Sequence, residues 1–348
     1  MSKKIGPCLI SGFAAVLLAS GLAATDVAAK DVYELKMATF TPEPAPDSKV
    51  LKQYAEEWEK KSNGRLKVKI FFGSAMGPMP KHHDLVRKGV ADLAFFQHGV
   101  TPGRFPLTEL IHLPYMVPAG VKGAEVGAMI MADLTKEYLA NEHKGTKIIW
   151  LANTRPAYIY DANKAIRSVS DLKGRRYRAP TPTISAMLKS LGANPIGLPA
   201  PLMAESLQKG TIDGVITDPN GTFNFKLGGL VKHETQMFLA VLSFGLVMNQ
   251  ASYDKLPADL KKIIDGTVAG PERAARNAQT AWGDSPPFAA YLKKANYDKI
   301  TLSAADDKEM RDLAEKFIEQ TLQGLEKKGL PGRKVYAKMK ALSAQYSK

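Results

Sequence analysis

Residues 171–219 read DLKGRRYRAPTPTISAMLKSLGANPIGLPAPLMAESLQKGTIDGVITDP. The run opens with a short basic strand over 175–179, ended by Pro180. Alternation along a strand puts Arg176 and Arg178 on one face, with Arg175 and Tyr177 on the other. A helix follows at once. Thr181 is suited to cap it, and Pro182 to its first turn, where a missing N–H costs little. Ile184, Met187, Leu188 and Leu191 fall at i, i+3, i+4 and i+7, so one face is buried, and Gly192 stops the helix. A guanidinium at a strand end, beside a helix N-terminus, can hold a carboxylate through a fork of donors and a positive dipole end. On spacing alone, a solvated basic edge is the plainer reading of these arginines.

Outward from this run, strands and helices alternate. Residues 32–39 read as a strand, 41–46 as a loop, and Asp47 as the cap of a helix whose apolar stripe is Val50, Leu51, Tyr54, Ala55 and Trp58. The strand at 65–72 alternates cleanly. A helix near 82–89 and a strand at 91–97 complete a β-α-β-α-β start, which implies a parallel sheet with crossover helices. In such sheets ligands bind where strands give way to helices. That rule selects the loops after Thr39 and Phe72, and the strand end at Phe95, Phe96 and Gln97.

Further on, a helix is expected over 123–141, a strand over 147–152 ending at Asn153-Thr154-Arg155, and a strand carrying Tyr158 and Tyr160. A weaker helix spans 199–210 and a strand 211–217. The apolar run 238–249 reads as one long strand crossing back to the first half. Gly270-Pro271 should break the helix that begins at Pro257. Ser303 and Asp306 resemble a capping box for the last long helix, and the basic tail 332–348 reads as a short helix that frays.

The chain has 348 residues, 45% of them hydrophobic, enough for more than one lobe. Lys3 and Lys4, an apolar run over 5–24 and Val27-Ala28-Ala29 read as a secretory signal cleaved after residue 29. The alternative is an uncleaved anchor, which the Gly, Ser and Ala content of the run disfavours. Cys8 is the only cysteine and lies in this leader, so the mature chain has no disulfide, thiolate nucleophile or cysteine-based zinc site. The net charge is +14; without Lys3, Lys4 and Asp26 it is +13. The basic residues are scattered among acids, with no nucleic-acid module, so most of this charge is solvated surface. No GxSxG, P-loop or GxGxxG follows a strand, and no carboxylate pair stands out as an acid–base couple. His82 and His83 are neighbours and chelate poorly together on a helix, and His98 lies beside the selected strand end. No metal and no cofactor is expected.

The pattern Asp171-Leu172-Lys173-Gly174, Arg176, Arg178, Pro180, Leu191-Gly192-Ala193-Asn194-Pro195, Leu207-Gln208, Gly210 and Asp213-Gly214 resembles the core of the periplasmic solute-binding proteins of TRAP (tripartite ATP-independent periplasmic) transporters. The resemblance covers nearly all the chain after the leader. It implies a two-lobed α/β periplasmic-binding-protein fold. Each lobe would be a mixed, mostly parallel sheet flanked by helices, the two joined by crossover strands and a long helix. Lobe I would take 30–153 with about 241–281, and lobe II 154–240 with about 282–348. Arg178 occupies the position that pairs with the ligand carboxylate in this family, and Arg155 a second arginine position; an interlobe ion pair is the other reading of Arg155. Thr217 and Gln97 would add hydrogen bonds, while Phe40 and Phe95 would supply apolar walls, or ordinary core. The acidic and aromatic residues common in the family's next helix are Leu202 and Ala204 here. Asp218 is awkward beside an anion; it could bind a cation or pair with an arginine.

The resemblance implies a monomeric, non-enzymatic receptor in the periplasm. It would capture a small carboxylate and deliver it to the membrane subunits of a permease, with no nucleic acid involved. A ligand sensor of the same fold is the alternative, and a secreted enzyme reusing the fold a more distant one.

Overall fold

The computed structural model describes residues 31–348, and the expected leader at 1–29 lies outside the described residues. Eleven strands and twelve α-helices follow one another as β1 (Tyr33–Thr39), α1 (Pro46–Lys61), β2 (Leu66–Phe71), α2 (His82–Arg87), β3 (Leu93–Gln97), α3 (Gly120–Leu134), β4 (Thr146–Asn153), β5 (Ala157–Asp161), β6 (Arg176–Ala179), α4 (Pro182–Ser190), β7 (Asn194–Gly197), α5 (Met203–Gln208), β8 (Gly214–Thr217), α6 (Pro219–Asn224), β9 (His233–Ala240), β10 (Ser243–Asn249), α7 (Gln250–Asp254), α8 (Ala258–Asp265), α9 (Pro271–Trp282), α10 (Pro286–Ala295), β11 (Asp298–Ile300), α11 (Ala304–Glu326) and α12 (Gly332–Tyr346).

The strands form two sheets. One has the order β2-β1-β3-β10-β4 and the other β11-β9-β5-β8-β6-β7. In the first, β1 pairs in parallel with β2 and β3, as a βαβαβ start requires, and β10 enters antiparallel between β3 and β4. In the second, β6 lies parallel to β7 and β8, while β5 runs antiparallel to β8 and β9. The chain passes between the sheets three times, from β4 to β5, from β9 to β10 and, through α7–α10, from β10 to β11. At the first two crossings Thr154 N–H donates to Leu242 O at 2.9 Å, and Leu242 N–H donates to the Thr154 hydroxyl at 3.2 Å. The β4–β5 and β9–β10 connections are therefore laced to each other.

The local chemistry around β6 follows the sequence. Arg175 and Tyr177 both reach Asp161, on the face opposite Arg178. The Thr181 hydroxyl accepts from Ile184 N–H at 3.2 Å, so Thr181 is the N-cap of α4. Ile184, Met187 and Leu188 are buried beneath that helix, and Gly192 takes φ +82 just past its end. Ser303 likewise accepts from Asp306 N–H at 3.2 Å to start α11.

Four expectations are corrected. Ala45, not Asp47, is the N-cap of α1, because Pro46 begins the helix and Asp47 falls in its first turn. The run 238–249 is not one strand: it breaks at Val241-Leu242, where the chain leaves one sheet for the other. The edge strand β7 was not expected, since Pro195 and Gly197 give it a poor strand pattern. The tail is a 15-residue helix with Val335, Met339 and Leu342 buried, not a frayed end. The expected break at Gly270-Pro271 separates α8 from α9.

Candidate ligand-binding site

The ends of β1, β3, β6 and β8 converge on two adjoining compartments. One is a cleft of about 870 Å³ and the other a small pocket of about 60 Å³. Arg178, Phe40, Met79 and Ala200 line both. This is the carboxyl-end position that a parallel sheet offers to ligands.

Arg178 is the third residue of β6 and is only 5% exposed. Its Nε donates to Leu198 O at 3.1 Å, and its Nη1 reaches Ile216 O at 3.5 Å. Among the described residues no carboxylate lies within ion-pair distance of it. Burial pushes the guanidinium down to about 10, with Asp218 pulling in the opposite direction. A buried cation held only by carbonyls costs several kcal/mol, roughly, relative to one with an anion beside it. Arg178 is thus a buried guanidinium with no carboxylate partner among the described residues.

Two carboxyl groups share the small pocket with it. Asp218 is the N-cap of α6, its Oδ2 accepting from Asn220 N–H at 3.1 Å and Gly221 N–H at 3.3 Å. Gly221 is required there, because a Cβ would sit 2.1 Å from the Thr217 hydroxyl oxygen. Burial pushes the Asp218 carboxyl up to about 6 against the pull of those backbone donors and of Arg155. Asp47 accepts from Ser48 N–H at 3.0 Å, and burial pushes it up to about 7, with Asp218 adding to the rise. Both carboxyls are therefore easier to protonate than exposed ones, Asp47 more so than Asp218.

Of the residues expected from the sequence, Arg178, Phe40, Gln97 and Thr217 lie together around the small pocket. Gln97 is 4% exposed, and its Nε2 has no hydrogen-bond partner. A buried amide nitrogen left open is costly, so it too faces a place for an acceptor. Phe95 lies one layer back, stacked 6.2 Å behind Phe40, 5.4 Å from Phe244 and 5.8 Å from Trp150. It stiffens the wall without lining it. Arg155 lines neither compartment. Its Nη2 donates to Asp284 at 2.7 Å, its Nε donates to Trp282 O, and its guanidinium lies 5.1 Å over the Phe288 ring. His98 is also away from both, buried between Ser243 and the His143 ring.

Asp47, Phe244, Trp282 and Thr154 line the small pocket and were not singled out by sequence. Two had a usable signal. Asp47 follows β1 directly, where the strand-end rule points. Phe244 pairs with Gln97 in the β3–β10 register, so the crossover strand brings it beside the same strand end. Trp282 closes α9 and stacks 5.7 Å from Phe244, a contact no local pattern announces.

With this geometry established, the relatives can be compared. The model of the bacterial extracellular solute-binding proteins, family 7, matches residues 37–324. A TRAP solute-binding protein from a marine metagenome, from an unidentified microbe, superposes with a TM-score of 0.85 at 32% identity, covering 91% of this chain and 100% of that one. It is described as specific for aromatic acid ligands and was crystallised with 3-hydroxybenzoate. A TRAP solute-binding protein from Rhodoferax ferrireducens T118, with copurified benzoate, superposes with a TM-score of 0.83 at 28% identity, covering 91% and 99%. A solute-binding protein of Verminephrobacter eiseniae is 27% identical over 220 residues, 62% of this chain; the match spans 65% of that relative, just under two thirds of its length. The chain belongs to family 7 of the bacterial extracellular solute-binding proteins, and its fold is that of the TRAP receptors.

Proposed function

We propose that this protein is the periplasmic receptor of a TRAP uptake system and captures a small organic monocarboxylate. The observation that carries the reading is Arg178, buried at the junction of both compartments with no acidic side chain in ion-pair contact. A carboxylate placed there gains charge-assisted hydrogen bonds of about 1.5–3 kcal/mol each. The Gln97 amide and the Thr217 hydroxyl complete the polar end, and Phe40 with Phe244 forms a flat wall for an aromatic body. The aromatic acids held by the two solved relatives fit that shape.

Arg155 serves as a second layer in this reading, holding α9 and Asp284 in place behind Trp282. Capture is a hinge closure about the crossings, with the sheet carrying β1–β4 and β10 in one lobe and the other sheet in the second. In this reading the lobes take 30–153 with about 241–281 and 154–240 with about 282–348, with α12 packed back against α3. Residues 1–29 serve as the export signal. No helix among the described residues is long and apolar enough to cross a membrane. The loaded receptor docks, as a monomer, on the permease subunits, and the role is capture and release without turnover.

A thermal-shift screen over aromatic, keto, dicarboxylic and sugar acids, with neutral and cationic solutes alongside, tests this, since a tight ligand raises Tm by mass action. An aromatic monocarboxylate should give the largest shift, and Arg178→Ala should remove it. A panel in which only neutral or cationic solutes raise Tm would overturn the reading.

A further inference from the structure

The large compartment exceeds what a single-ring acid needs. Clefts of roughly 300–1,000 Å³ hold drug-sized ligands, and this one, at about 870 Å³, is near the upper end. The space is not merely that of two halves held apart. They already meet beside it, where the Thr183 hydroxyl donates to Glu109 at 3.3 Å. Gly99 also packs so close to Thr181 that a Cβ would lie 2.4 Å from its Cγ2.

The lining is equally specific. Seven of its twenty residues are proline, among them Pro78, Pro80, Pro199 and Pro201. Proline offers no N–H and a fixed φ, so these seven positions are stiff and donate no backbone hydrogen bond. Arg178 is the only charged residue in the lining. Its neutral polar side chains are three hydroxyls, Ser74, Thr181 and Ser185, and that of Thr181 already caps α4. The amide and carboxyl groups of Gln97, Asp47 and Asp218 line the other compartment, whose 60 Å³ has room for little more than a carboxylate and a water. The cleft therefore complements one negative charge at its floor and an apolar body above it.

We propose that the ligand is a monocarboxylate whose apolar body is longer than one ring, an arylalkyl or two-ring acid, with the carboxylate on Arg178 and the surplus seated between the proline walls. This rests on the anchoring role proposed for Arg178. The body would run over Phe40, whose ring is already stacked with Phe95 and Phe244. Burial of the added carbon raises affinity in proportion to apolar area.

Calorimetric titration of the purified protein with benzoate, 3-phenylpropanoate, 2-naphthoate, biphenyl-4-carboxylate, a hexuronic acid and neutral biphenyl tests it. The expected result is binding of the two-ring acids at least tenfold tighter than benzoate, about 1.4 kcal/mol, with no detectable binding of the hexuronic acid. Val100→Trp, which fills the mouth of the cleft, is expected to cost the two-ring acids tenfold or more. Benzoate binding as tightly as the larger acids, or more so, overturns this inference while leaving the carboxylate reading intact. Neutral biphenyl binding as tightly as its carboxylate overturns the anchoring by Arg178. Failure of every acid in the series overturns the carboxylate reading itself, and this inference with it.

Discussion

Arg178 and Arg155 are matched in most respects. Each lies close to the end of a strand, and they are 5% and 7% exposed. Their partners differ. Arg155 is spent within the protein, on Asp284, the Trp282 carbonyl and the Phe288 ring. Arg178 touches only two carbonyls and opens onto both compartments. A buried arginine that already has its carboxylate supports the fold; one that lacks it is the candidate we propose for the ligand. Depth and position in the strand do not distinguish the two, and the inventory of partners does.

The sharpest way to break this comparison is to truncate each arginine in turn. Arg178→Ala should weaken binding of a cognate acid by at least 100-fold, about 3–5 kcal/mol, as expected when one partner of a buried charge pair is removed. It should leave Tm of the ligand-free protein within a few degrees, or raise it, because a costly unpaired charge is gone. Arg155→Ala should do the reverse. It should lower stability by about 1–3 kcal/mol in denaturant titration while changing affinity less than tenfold. Equal effects of both on affinity would erase the distinction.

The two acids beside Arg178 give a smaller, pH-dependent effect. Asp47 is raised from 3.8 to about 7 and Asp218 from 3.8 to about 6. A carboxyl with a raised folded pKa contributes stability that is fully present below the unfolded pKa. That contribution is lost as pH rises through the folded value. Their part of the stability should therefore fall between about pH 4 and pH 7, and Asp47→Asn should stabilise the free protein more at pH 8 than at pH 4. Affinity for a carboxylate should decline across pH 7–8 as Asp47 ionises, and the substitution should flatten that slope in calorimetry. A slope unchanged by Asp47→Asn would place the titrating group elsewhere.

The smallest effect is expected at Gln97, whose Nε2 is buried without a partner. Gln97→Leu removes that open donor, so ligand-free stability should rise by up to about 1 kcal/mol while affinity falls less than tenfold. Thermal melts with and without ligand would show the two changes in opposite directions.

Much of the fold was legible from local pattern. Alternation around Tyr177, the Thr181 cap and Gly192 specify β6 and α4 without reference to anything distant. The register of Arg178 follows from them, so the position of the proposed anchor was legible too. What the pattern could not show are contacts made across the chain. Asp284 meets Arg155, and Phe244 meets Phe40 and Trp282, only after the chain returns to the first sheet at β10. The break at Val241-Leu242 is hidden because apolar residues continue through it, both sides being buried in different sheets. Asp47 looked like a cap because an acid before a helical stripe usually is one. Its place in the site depends on Arg178 and Asp218 arriving from the other half.

A crystal structure of the protein with an aromatic monocarboxylate such as benzoate tests the central claim most directly. The ligand carboxylate should lie within about 3 Å of the Arg178 guanidinium nitrogens, with Arg155 still on Asp284. A ligand carboxylate bound by Arg155 or by main-chain donors instead, with Arg178 turned out of the cleft, would contradict the account.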